Sequence, residues 1–227
     1  MQYGCGLCAP DRWLNFDASP RLWLERAPAI GAILRVSLGA LFPRNVRYGD
    51  VVAGLPLPDD TAAGIYCSHV LEHLPRDDVP AALRETLRVL RPGGRFRLVV
   101  PDLRWRARRY VEAANAEDPE AADRYLDSCM LGTRAAVRTP LGIIRRHFGR
   151  GAHLWLYDFA AMRTLIAAAG FVAIRECALG DSDDPRFAQV EEADRFFVGA
   201  ERELAIEARK PAQSAQVAAS RRACGSP

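Results

Sequence analysis

The chain has 227 residues, 49% of them hydrophobic and 26% charged, an ordinary composition for a soluble globular protein. Its formal net charge of +3 is too small to require nucleic acid or a membrane surface as a partner. Arg26 and Arg35 interrupt the longest apolar region, and this excludes the run of about 18 apolar residues that a membrane span needs.

The first ten residues contain glycines and a proline but no apolar run, so we expect no signal peptide. Six scattered cysteines predict a cytoplasmic protein with reduced thiols. Lys210 is the only lysine among 31 basic residues, and this bias indicates a GC-rich, bacterial genome.

Short apolar runs in the first third of the chain predict strands. A very short strand precedes "YGCG", and "WLNFD" over 13–17 predicts a second strand. Residues 20–42 are apolar with scattered arginines and predict one or two helices. "NVRYGDVV" over 45–52 and "AGIYCSH" over 63–69 predict a third and a fourth strand.

The clearest local pattern is "DDVPAALRETLRVLRPGG". Asp78 and Pro80 are typical of a helix N-terminus, and apolar residues then recur at helical spacing. We expect the helix to stop at Pro92, with Gly93 supplying the positive φ of a turn. "RFRLVVP" over 95–101 predicts a fifth strand, apolar enough to be covered on both faces.

The second half of the chain predicts helices followed by two strands. Helices are expected over 102–131, with a break around Asp118-Pro119, and over 157–170. Strands are expected over 171–177 and 203–210. The remainder, 211–227, has too little apolar content to pack and predicts a disordered tail after a single domain over 1–210.

This order of elements predicts an α/β fold. We expect a Rossmann-like, doubly wound, mostly parallel sheet with helices on both faces and an antiparallel C-terminal strand. Ligands bind such sheets at the carboxyl ends of strands, near the point where the strand order reverses. The residues at strand ends are therefore the candidates for a site: Gly4, Gly6, Asp17, Asp50, Ser68, His69 and Asp102.

From "YGCG" to "IEARK" the chain resembles the class I S-adenosylmethionine-dependent methyltransferases. The most specific part is 55–102, where "LEHL" and "RETLRVLRPGG" are close matches. Within the family it is most similar to short bacterial members with "GCG", then "W-x-N-x-D" and "SHVLEHL". Only ten residues separate Gly6 from Asp17, too few for the family's usual helix and strand.

The resemblance implies a cofactor, S-adenosylmethionine, and a role for each matched residue. The two glycines would cradle its methionine and ribose, and Asp17 would hold the ribose hydroxyls. Asp50 and Val51 would lie beside the adenine. Ser68 and His69 would line the wall where the cofactor meets the acceptor. Independently of the resemblance, the strand-end position of His69 and its imidazole make it the candidate catalytic or acceptor-binding residue. The cofactor-binding residues implied are Gly4, Gly6, Asp17, Asp50, Val51 and Ser68.

Methyl transfer to a small-molecule or saccharide acceptor is the function that this resemblance implies, with acceptor contacts from an insert over 102–157. The modest charge and the lack of a basic aromatic motif argue against RNA as the acceptor. The sequence identifies neither the acceptor nor the oligomeric state. Because the first strand is short and a helix is missing, a non-catalytic binding module of the same fold is an alternative.

A metal-dependent enzyme is a further alternative, since His69, Glu72 and His73 spell H-x-x-E-H. The zinc-protease motif needs a helix, whereas His69 follows a strand and Pro75 soon ends any helix. Glu72 and His73 with the later His153 also resemble the metal ligands of some RNA 2′-O-methyltransferases, but His69 stands where those have an acid. We therefore predict no metal.

Overall fold

The computed structural model describes residues 1–27, 41–132 and 152–212. Three predictions fall wholly or partly outside these residues: the later part of the helical region 20–42, the middle of the insert 102–157, and almost all of the tail 211–227. None of the helices in the described parts is long and apolar enough to cross a membrane.

The described residues contain nine strands and six α-helices. The strands are β1 Gln2–Tyr3, β2 Asn15–Asp17, β3 Val46–Tyr48, β4 Ala62–Ser68, β5 Leu90–Val100, β6 Val172–Glu176, β7 Phe197–Val198, β8 Glu201–Arg202 and β9 Leu204–Arg209. The helices are α1 Pro20–Arg26, α2 Val79–Val89, α3 Leu103–Asn115, α4 Ala121–Ser128, α5 Phe159–Ala168 and α6 Ala193–Phe196. Two 3-10 turns cover Leu71–His73 and Pro185–Gln189.

Seven strands form one sheet in the order β3-β2-β1-β4-β5-β9-β6, and β7 and β8 form a separate hairpin. Neighbours from β3 through β5 run parallel, whereas β9 runs antiparallel to both β5 and β6. The order reverses between β1 and β4, and this makes their carboxyl ends the place where a ligand is expected. The predicted Rossmann-like fold with an antiparallel C-terminal strand is confirmed.

One face of the sheet carries the main hydrophobic core. Alternate residues of the strands, such as Ile65, Leu98 and Ile206, are fully buried beneath α2 and α5. A strand places every second side chain on the same face, so the apolar residues of β4, β5 and β9 meet the apolar stripe of α2 there.

The opposite face is covered in an unusual way. Residues 4–14 run from β1 to β2 without a helix, as the short spacing between Gly6 and Asp17 predicts. The cover over β4, β5 and β9 comes instead from Trp13 and from the segment between β6 and β7, through side chains such as Phe187 and Phe196. Residues 178–196, which we call the covering segment, therefore lie where the predicted fold would place a helix.

The buried Arg97 on β5 fastens this segment to the sheet. Its guanidinium binds the carboxylates of Glu191, Asp181 (3.0 Å) and Glu207 (2.9 Å), and donates to the carbonyl of Ala178 at 2.9 Å. Arg97 is 1% exposed, so these partners replace the water that the cation loses on burial.

Several element ends differ from the prediction. The third strand stops at Tyr48 because Asp50 closes a turn, accepting the amide of Val52 at 2.8 Å through its carboxylate. The helix α2 ends at Val89 and not at Pro92, since β5 already begins at Leu90. Asp78 is the N-cap residue, but its side chain makes no capping hydrogen bond.

Candidate active site

The carboxyl ends of β1, β2 and β4 lie side by side. Tyr3 is paired with Phe16 in one neighbour and with Cys67 in the other. The residues that follow these strands therefore meet at one edge of the sheet, as predicted: the Gly4–Gly6 turn, Asp17 and Ser68 with His69.

The two glycines adopt backbone conformations that favour glycine. Gly4 has a φ of 65° and Gly6 a φ of 56°, both in the left-handed region. A Cβ at Gly4 would lie 2.1 Å from Cγ2 of Val70, so the room beside this glycine is taken by the protein itself. A Cβ at Gly6 would meet only the end of the Arg195 side chain, at 3.7 Å.

Asp17 ties the glycine turn to the end of β2. Its carboxylate accepts the Gly6 amide at 2.9 Å and the Ser19 amide at 2.8 Å, one through each oxygen. A carboxylate offers about four acceptor positions, so each oxygen retains room for a further hydrogen bond. The two amides thus fix the orientation of the carboxylate, which can still accept hydrogen bonds from two hydroxyl groups.

Asp50 and Val51 lie in the turn after β3. The carboxylate of Asp50 accepts the Val52 amide within its own turn, and Val51 is 5% exposed and packs into the main core. Contact between these two residues and an adenine stays a prediction.

A cavity of only about 10 Å³ lies beside the glycine turn. Its walls include Gly4, Tyr66 and Ser68, and Val190 and Arg195 of the covering segment close it. Apart from each other, the buried hydroxyls of Tyr66 and Ser68 have no hydrogen-bond partner among the described residues. Unpartnered buried hydroxyls cost free energy, and a polar ligand or water bound there would recover it.

His69 stands at the end of β4 with a φ of 54°, which is rare for a residue other than glycine. Its Nδ1 lies 3.1 Å from Oε1 of Glu72, and its Nε2 lies 3.0 Å from the carbonyl oxygen of Arg195. Burial on its own would lower the pKa of His69, but these two acceptors outweigh burial and raise it above 6.5. The imidazole is held in place at both nitrogens and is not a free base.

A second cavity, of about 420 Å³, opens on the other side of His69. The remaining lining residues lie directly after β5, in α3, in or just after α4, before α5, and in or just after the β7–β8 hairpin: Pro101, Arg106, Arg124, Asp127, Ser128, Met130, His153, Val198, Glu201 and Glu203. Many of these residues belong to the predicted insert 102–157. His69 thus lines the large cavity, and the adjacent Ser68 lines the small one.

Arg106 connects the elements of this wall through hydrogen bonds. Its guanidinium binds Glu203 through two hydrogen bonds of 2.8 and 3.0 Å and Glu201 through a third of 3.0 Å. It also donates to the Ser128 carbonyl at 3.0 Å, joining α3 to the end of α4. The charge of Arg106 is therefore paired with two carboxylates within the wall.

Glu72 lies beside His73 and His153. Potential metal-binding atoms of the three side chains all lie within 4.8 Å of one another. The Glu72 carbonyl accepts the amides of Leu154 at 2.7 Å and Trp155 at 3.2 Å, and this brings His153 alongside the 3-10 turn. The cluster includes His153 and not His69, so it differs from the H-x-x-E-H set.

Residues 26–98 match the family model described as "Methyltransferase domain". "Probable methyltransferase ltbC" of Aspergillus luteorubrus is 45% identical over 47 residues, 20% of this chain. The chain spans only 16% of the length of that relative. The family match confirms the methyltransferase resemblance. It begins after the glycine turn and Asp17, and the likeness to the short bacterial subgroup stays a prediction.

Solved structures add likenesses at low identity. A SAM-dependent methyltransferase from Methanosarcina mazei is 14% identical, with 93% of this chain and 92% of that one covered and a TM-score of 0.47. A possible exported protein from Bordetella parapertussis is 16% identical, with 87% and 52% covered and a TM-score of 0.44. With TM-scores below 0.5, these likenesses add nothing to what the strand order already establishes.

Proposed function

We propose that this chain, which carries a methyltransferase domain on a Rossmann-like sheet, transfers a methyl group from S-adenosylmethionine to a small-molecule or saccharide acceptor. One observation carries the proposal: the glycine turn, Asp17 and Ser68 with His69 meet at the edge where the strand order reverses. This is the edge at which sheets of this type bind ligands.

The residues fit the cofactor in kind and position. At Gly6, where only the end of the Arg195 side chain lies nearby, a ligand could approach the backbone closely, and Asp17 would accept the hydroxyls of a ribose. The buried Ser68 hydroxyl, with no described partner other than Tyr66, would serve a polar group of the same ligand. When bound, the cofactor supplies an electrophilic methyl group on a sulfonium, so the protein mainly has to bind and align the acceptor.

The space for this ligand depends on the covering segment. A cavity of about 10 Å³ is far smaller than a nucleoside, so Val190 and Arg195 must move outward for binding. Their movement would also release the carbonyl that holds Nε2 of His69. We therefore expect cofactor binding and the freeing of His69 to be coupled.

The acceptor would occupy the cavity of about 420 Å³. That volume suits a small molecule or one or two sugar units. His69 lies between this cavity and the residues of the cofactor crevice, and it is our candidate for the residue that contacts the acceptor at the reacting atom. Glu72 holds its ring orientation through Nδ1.

Calorimetric titration of the full chain with S-adenosylhomocysteine tests the proposal. We expect one molecule bound per chain and about 10- to 100-fold weaker binding by Asp17→Asn, which loses a charged acceptor. The matched control Asp77→Asn changes an exposed acid without a hydrogen bond in the described structure and should bind normally.

The small cavity also favours a second candidate, a non-catalytic module of this fold. Absence of heat with both S-adenosylmethionine and S-adenosylhomocysteine, in protein shown to be folded, would support that candidate and contradict methyl transfer.

A further inference from the structure

The cluster of Glu72, His73 and His153 lies apart from the glycine turn and the ribose-binding position. Its candidate metal-binding atoms are within 4.8 Å of one another, near enough that small side-chain rotations would bring all three to one ion. His153 also lines the large cavity, so an ion held by the cluster would adjoin that cavity.

Glu72 carries the strongest indication that something binds here. Its side chain is completely buried, and a buried carboxylate normally has partners for both oxygens. Oε1 is bonded to His69, but Oε2 has no hydrogen-bond partner among the described residues. A cation at Oε2 would remove this cost.

The two histidines can supply nitrogen ligands. Nδ1 of His153 lies 2.9 Å from the Cys129 carbonyl, which can only accept, so Nδ1 carries the proton and Nε2 has a free lone pair. A histidine that donates to a carbonyl through one nitrogen and binds metal through the other is the usual arrangement at metal sites. The His73 ring packs against it, with ring centroids 5.0 Å apart.

Glu72 also has a hydrogen-bond partner outside the cluster, as His153 has in the Cys129 carbonyl. His69 holds Oε1 and leaves Oε2 without a partner among the described residues, so it acts here as a positioning residue for the carboxylate. Two imidazoles and one carboxylate are the donor set of zinc sites that keep an open position, and they suit zinc or manganese better than magnesium or calcium.

We propose that Glu72, His73 and His153 bind one divalent transition-metal ion of the zinc class, with a coordination position left for water or for an oxygen of a molecule in the adjoining cavity. This replaces the prediction that the chain binds no metal, and the ligand set differs from His69, Glu72 and His73. The site does not rest on methyl transfer, because its ligands lie outside the cofactor crevice.

The test uses the full-length chain without an affinity tag, stripped with a chelator and dialysed. Zn²⁺ is titrated by calorimetry, bound zinc is counted by elemental analysis, and Co²⁺ is added separately to read the ligand field from its visible absorption. We expect one zinc per chain, a thermal midpoint that rises with zinc concentration, and a Co²⁺ spectrum with nitrogen and oxygen ligands.

Glu72→Gln and His153→Gln each remove one ligand with little change in size. We expect either variant to bind zinc at least tenfold more weakly than the original chain. Cys5 and Cys8 form the chain's CxxC pair, and the double variant Cys5→Ser/Cys8→Ser controls for zinc held by thiols. It should bind zinc normally.

Circular dichroism establishes that each variant is folded. If Glu72→Gln does not fold, His73→Gln takes its place, since His73 is only partly buried. Three results would overturn the proposal: less than one zinc per stripped chain, unchanged affinity in the ligand variants, or loss of binding in the double cysteine variant alone.

Discussion

Replacing Arg97 by methionine should destabilise the protein strongly. The side chain is 1% exposed, and its ion pairs join β5 to the covering segment. Glu207 would retain Arg175 at 3.3 Å, but Glu191, whose side chain is also 1% exposed, would keep only the Gly180 amide among the described residues. Removing one partner of a buried ion pair costs about 3–5 kcal/mol.

The free energy of unfolding should therefore fall by about 3–5 kcal/mol, and the thermal midpoint by roughly 6–20 °C in a chain of this size. Urea unfolding followed by circular dichroism measures the free energy of unfolding directly. Arg84→Met is the matched control, because Arg84 is exposed on α2 and has no ion pair in the described structure. It should change stability by less than about 0.5 kcal/mol.

A second substitution should restore part of the stability that Arg97→Met loses. Glu191→Gln in the Arg97→Met background removes the unpaired buried charge, so the double variant should be more stable than Arg97→Met alone. A loss below about 1 kcal/mol in Arg97→Met, or no rescue in the double variant, would refute the claim that this ion cluster fastens the segment.

Two further predictions concern the glycine turn and acid stability. Gly4→Ala should lower the free energy of unfolding by about 2–5 kcal/mol, because its Cβ would meet Val70 at 2.1 Å in a left-handed conformation. Gly6→Ala should lower it by only about 1–2 kcal/mol, because nothing blocks its Cβ. Equal losses in urea unfolding would contradict this. Burial alone would raise the pKa of Asp181, but hydrogen bonds, first from Arg175, lower it from 3.8 to about 2. A depressed pKa stabilises the fold above about pH 4, and this contribution is lost as the pH falls toward 2. Asp181→Asn should flatten that dependence, and an unchanged slope would argue against it.

The part of the fold built from local patterns follows from the sequence. The periodic apolar residues and the turn residues that predict helix α2 and strand β5 all lie within 25 neighbouring positions. Gly93 has the predicted positive φ, 75°. The missing helix before β2 also follows, because ten residues cannot hold both a helix and a strand. Such features need no knowledge of distant contacts.

The covering segment could not be predicted in this way. Its 3-10 turn and four-residue helix α6 are too short to show a period, and it is held by Arg97, far away in the sequence. The closure of the small cavity by Arg195 follows from that placement. Strand-end positions in the sequence predicted which residues meet at this edge of the sheet, but they gave no indication of what covers it.

The histidine cluster was only partly predictable. Glu72 and His73 are adjacent, but His153 joins them through amides that bond to the Glu72 carbonyl. A pattern of residue types can suggest such a partner, whereas the unpartnered Oε2 and the Cys129 contact emerge only from tertiary structure.

A crystal structure of the full chain with S-adenosylhomocysteine would show whether the strand-end residues bind this cofactor. We expect the nucleoside between the Gly4–Gly6 turn and Asp17, its ribose hydroxyls within hydrogen-bond distance of that carboxylate, and Arg195 displaced from the crevice. The sulfur should lie near Ser68 and His69, toward the cavity of about 420 Å³. A crevice still closed by Arg195 at saturating ligand, or a nucleoside bound at another place, would contradict it.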